Sequence, residues 1–142
     1  MSNTISNSDD VIDSRDVITR LEELRDARQS IVDARDDADA TLDDKELAIK
    51  TLAEWGDDNG AEFNSLMDLD SNGDGYSGDW KYGATLIRDS YFEDYARQLC
   101  EDIGDVPKNL PHYIEIDWAA TARNIRMDYT SVSFDGVDYW VR

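Results

Sequence analysis

A chain of 142 residues is long enough for one domain with a single core, since chains near this length bury about two-thirds of the surface they expose unfolded. Asp and Glu number 33 against 14 Lys and Arg, so the net charge is −19; such a surface repels nucleic acid and anionic membrane and steers toward basic partners. One cysteine excludes an intramolecular disulfide, and no signal peptide or apolar run of spanning length is visible, which predicts a protein of the cytoplasm.

Acidity is concentrated early, with 20 acids against 7 bases through residue 70 and 13 against 7 beyond it. Residues 1–8 are polar and read as a frayed tail. Residues 9–69 form an acidic helical region. From about Asp9, Val17, Leu21, Leu24, Ile31 and Ala38 recur at helical spacing, and Arg28 and Arg35 interrupt the seam enough to disfavour a continuous coiled coil. Thr41 and Asp44 suggest a capping box opening a second helix, with Asp replacing the usual Glu, and Leu42, Leu47, Ile49, Leu52, Ala53 and Trp55 supply its apolar positions. A helical hairpin follows, although one long bent helix would show much the same pattern. Gly56 to Gly60 is expected to break the second helix, and Phe63, Leu66 and Leu69 mark a further turn or two before a glycine-rich border loop at residues 70–80.

Residues 81–142 read as an α+β unit. Tyr82 to Ile87 is expected to be extended and to join the sheet of the final hairpin. Phe92, Tyr95, Ala96, Leu99, Cys100 and Ile103 make one apolar helix stripe, closed by Gly104 at a C′ position. Asp117 caps a shorter helix that directs Trp118, Ala122, Ile125 and Met127 inward. In the last segment, Asp135-Gly136 between two alternating runs is a strong two-residue hairpin signal. A type I′ turn there puts Phe134 opposite Val137, Val132 opposite Tyr139 and Thr130 opposite Val141 on one face, which the two preceding helices are expected to cover.

Chemistry-bearing patterns are sparse. Asp70, Asn72, Asp74 and Gly75 fit the first half of an EF-hand loop, but Lys81 stands where a bidentate Glu is needed, so at most a weak calcium site is expected. His112 lies between Pro111 and Tyr113 in a connector, and Cys100 sits among acids that oppose a thiolate. No phosphate loop, zinc-ligand cluster or nucleophile elbow is present, so neither catalysis nor a cofactor is expected. What remains is the carboxylate distribution. Asp33, Asp36, Asp37, Asp39, Asp43, Asp44, Asp57 and Asp58 recur along elements rising about 1.5 Å per residue, a spacing comparable to the phosphate charges of a duplex. The bland reading is a solvated helix face interspersed with arginines; the sharper one is a surface shaped for a basic groove.

The segments Tyr91-Phe-Glu-Asp-Tyr-Ala-Arg97, Glu101 to Ile114, Ile116 to Arg123, Met127-Asp-Tyr129 and Phe134 to Arg142 resemble, in that order, the C-terminal domain of the ArdA antirestriction proteins. That family consists of acidic DNA mimics from phages and mobile elements that occupy the DNA-binding site of type I restriction-modification enzymes. The resemblance implies a homodimer whose contact includes Val106, Pro107, Leu110 and Tyr113, in the stretch similar to the family's antirestriction motif. It covers about the last fifty residues; family members begin with small mixed domains instead of acidic helices.

The sequence therefore predicts an α+β protein, an acidic helical hairpin followed by helices on a small antiparallel sheet. Its expected role is non-enzymatic inhibition of a host DNA-binding enzyme in the bacterial cytoplasm, without contact to nucleic acid or membrane. Two other classes fit the same composition: an anti-CRISPR or similar inhibitor acting through a few apolar contacts, and an assembly module that pairs through its N-terminal helices.

Overall fold

The computed structural model describes residues 5–142. The first half of the expected tail lies outside those residues; its second half is tied down, with Ile5 against the core and the Tyr139 hydroxyl donating to the carbonyls of Ser6 (3.3 Å) and Asp9 (2.6 Å). Burial raises the pKa of that phenol.

The protein is α+β. Strand β1 (Val11–Asp13) leads directly into helix α1 (Ser14–Asp36), capped by the Asp13 carboxylate on the Arg15 amide. After a short loop comes α2 (Leu42–Tyr76), opened by the expected capping box of Thr41 and Asp44. A single turn, α3 (Trp80–Gly83), precedes β2 (Thr85–Arg88). Then follow α4 (Phe92–Asp102), α5 (Trp118–Arg126), β3 (Thr130–Phe134) and β4 (Val137–Val141). The strands pair antiparallel in the order β1-β2-β4-β3.

Three layers result, and strand alternation sets them. Leu86, Val132, Phe134, Tyr139 and Val141 enter one apolar cluster with Val17, Leu21 and Leu24 of α1 and Leu66 and Leu69 of α2. Ile87 and Trp140, neighbours of opposite parity, enter a second cluster with Phe92, Ala96, Ala122 and Ile125. The hairpin register matches the expectation at every pair, and Asp135 and Gly136 both have positive φ (49° and 79°), as a type I′ turn requires. Its cover does not: the helical hairpin, not α4 and α5, packs on the Phe134-Val132-Tyr139 face. The larger core thus draws on both ends of the chain, and residues 81–142 share their sheet with β1.

Three more expectations change. The chain is extended at Val11–Asp13, where a helix was expected, pairing Ile12 with Leu86. Gly56 and Gly60 do not interrupt α2, which has 35 residues and runs on through Asp70, Asn72 and Asp74, so the border loop expected at 70–80 shrinks to the turn at residues 77–79. Glycine in a helix costs about 1 kcal/mol, which the buried row of Leu66, Leu69 and Gly73 offsets through packing on the body. Gly73 has a specific reason to be glycine: a Cβ there would lie 2.3 Å from the Trp80 ring. Trp80 is fully buried, and its indole donates to Asp70 at 2.7 Å. Finally, Met127, expected inside, is exposed, as is Ile103. Gly104 (φ 81°) ends α4 as expected, with the Asp105 amide donating back to the Cys100 carbonyl.

Candidate functional site

Beyond Leu24 on α1 and before Trp55 on α2, which packs with Phe63 against the core, Ala48 is the one buried apolar residue of the hairpin. The two helices therefore leave the body as an arm. Leu42, Leu47 and Ile49, expected in the seam, are 81%, 63% and 56% exposed. Ala38, also expected in the seam, lies in the exposed loop past the end of α1. At the arm's base Arg20 braces the helices, giving two 2.9 Å bonds to Glu62 and one of 3.1 Å to Glu23. The guanidinium holds the Glu62 carboxyl below the usual range.

All of the sequence-predicted acids are exposed, but they do not form one sheet of charge. Asp36, Asp37, Asp39, Asp43 and Asp44 gather where α1 ends, the loop turns and α2 begins. Asp33 follows Leu24, and Asp57 follows Ala48, by about two and a half turns, so each stands on the outward face of its own helix. Their stripes diverge from the seam. Asp58 accompanies Asp57, roughly 20 Å down α2 from Asp44 at 1.5 Å per residue. The compact array is the tip, and Asp57 and Asp58 lie outside it.

Several tip carboxylates also hold the local fold. Asp36 pairs with Arg35 at 2.9 Å, whose hydrogen bond lowers its pKa. Asp37 accepts from the Asp39 amide (2.9 Å), Asp44 accepts from the Thr41 amide (3.4 Å), and Asp33 accepts from the Gln29 side chain (2.8 Å). Asp39, Asp43, Asp57 and Asp58 make no ion pair or side-chain hydrogen bond among the described residues. Asp36 apart, the predicted acids have no basic neighbour in ion-pair contact among the described residues, so their charge is open to a partner.

Between the helices at the tip runs an open groove of about 570 Å³, lined by Ile31, Ala34, Leu47 and Ala48 together with Ser30, Thr51 and the acids Asp37, Asp39 and Asp44. Sequence reasoning missed this groove. The available signal was Ile31 and Leu47, apolar residues set in acidic stretches of α1 and α2, which helical spacing alone places in the seam.

For Asp70, Asn72 and Asp74 the geometry is helical, so their oxygens do not alternate around a common centre as an EF-hand loop demands. No group of three or more His, Cys, Asp or Glu side chains suited to a metal occurs among the described residues. In the irregular stretch between α4 and α5, Val106 and Leu110 are half-buried while Pro107 and Tyr113 are exposed. Ile103, Ile114 and Met127 are exposed as well. No helix among the described residues is long and apolar enough to cross a membrane. Comparison with models of known protein families, with characterised proteins and with solved structures found no match.

Proposed function

We propose that the protein is a non-enzymatic, acidic DNA mimic that blocks a host DNA-binding enzyme by placing the carboxylates of its arm in the enzyme's basic groove. One observation carries the reading: the arm reaches beyond the core, and among the described residues the tip acids apart from Asp36 form no ion pair that would neutralise them. A rigid array of charge needs no reorganisation on docking, which favours it over a flexible acidic tail. The resemblance of the C-terminal segments to ArdA proteins supports type I restriction-modification enzymes as the target class and the cytoplasm of a bacterial host as the place. It also supports a homodimer formed through Val106, Pro107, Leu110 and Tyr113.

DNA cleavage and ATP hydrolysis by a type I enzyme, followed with increasing protein, test the proposal. Inhibition relieved by added duplex DNA and by salt is the expected outcome; cleavage that proceeds unchanged in large excess of the protein overturns it.

A further inference from the structure

The tip groove combines two features that a solvated acidic face does not need. Its uncharged lining is mainly apolar, with Ile31, Ala34, Ala40, Leu47 and Ala48 beside Ser30 and Thr51. Its charged lining is all negative: Asp37, Asp39 and Asp44 belong to it, and no Lys or Arg does. From Asp33 to Glu46 the chain holds seven acids against two bases.

That charge decides between occupants. A second copy of the arm would bring like charges together, and nucleic acid is repelled for the same reason. An apolar small molecule would leave those carboxylates unanswered. A helix with an apolar ridge flanked by cations answers both features, in the manner of amphipathic helices that lay their apolar face into a groove.

We propose that the groove seats a cationic amphipathic helix of the target protein. One apolar side chain lies over Ile31, Ala34 and Leu47, and Lys or Arg about one turn away reach Asp37, Asp39 and Asp44. This rests on the reading of the arm as the contact surface and adds that the contact has an apolar anchor. Charge then governs encounter, while the anchor governs residence and specificity.

The test uses two synthetic helical peptides of equal charge, one of leucine and lysine and one of alanine and lysine, titrated onto the intact protein. Salt is set at about 0.05 M and about 0.5 M. The leucine peptide is expected to bind about tenfold tighter or more and to keep that advantage at high salt. Ala34→Trp, which fills the groove from an exposed position, and Leu47→Ser, which removes an apolar part of its lining, should each abolish the advantage of the leucine peptide. The Leu47→Ser result decides should Ala34→Trp perturb the helix, which circular dichroism reports. Equal binding of the two peptides, or an advantage that survives both substitutions, overturns the anchor and leaves the acidic arm standing. Failure of both peptides to bind at low salt overturns the arm reading together with it.

Discussion

At residue scale, Gly73 and Trp80 hold the junction between α2 and the sheet. A Cβ at Gly73 meets ring atoms of the fully buried Trp80, whereas one at Gly56 or Gly60 meets nothing within 4 Å. Gly73→Ala should therefore destabilise by about 1–3 kcal/mol through overpacking, despite its gain in helix propensity. Gly60→Ala should stabilise by about 0.5–1 kcal/mol. Urea unfolding of the two variants checks the pair of opposite signs. The Arg20–Glu62 brace makes a second residue-scale prediction. Glu62 is held below its unfolded pKa by Arg20, so its contribution is present above about pH 4.5 and is lost as pH falls through the folded value. The gain is about 1 kcal/mol at most for this part-exposed pair, and Glu62→Gln should remove that component of the acid limb of the stability curve.

Among the elements, what could be read from sequence depended on how local the determining contacts are. The β3–β4 hairpin was legible to the residue because Asp135-Gly136 dictates its turn and alternation dictates its faces. Both α2 capping and the Gly104 terminus were legible for the same reason. The shortened border loop is the opposite case: Asp70 to Gly75 looks like a loop until Trp80, folded back from outside the helix, explains the glycine. Strand β1 was hidden because a three-residue edge strand has too few positions to show alternation. The acidic site was legible as composition; its grouping at the tip and the separation of Asp57 from it depend on where the hairpin turns. Packing also differs along the hairpin, since its buried residues concentrate at the base. Backbone amides of residues 28–54 should exchange with solvent faster than those around Leu66, Leu69, Leu86 and Ile87, which hydrogen exchange measures directly. Uniform protection along α1 and α2 would contradict an arm standing clear of the core.

For the whole molecule, a net charge of −19 destabilises the compact state by self-repulsion. Thermal stability should therefore rise between about 0.02 M and about 0.5 M sodium chloride, as the screening length shortens below the spacing of the surface charges. The same salt series should weaken binding to a basic partner. That opposition is what a protein whose charge serves recognition and not stability would show. Competition at equilibrium between duplex DNA and this protein for a type I restriction enzyme is the most direct test of the acidic arm. The comparison variant carries Asn at Asp36, Asp37, Asp39, Asp43 and Asp44, a change that keeps capping ability at Asp37 and Asp44. The protein is predicted to displace DNA with steep salt dependence, and the variant to lose at least about tenfold in affinity. DNA that stays bound at saturating protein, or a variant that displaces it equally well, would contradict the account.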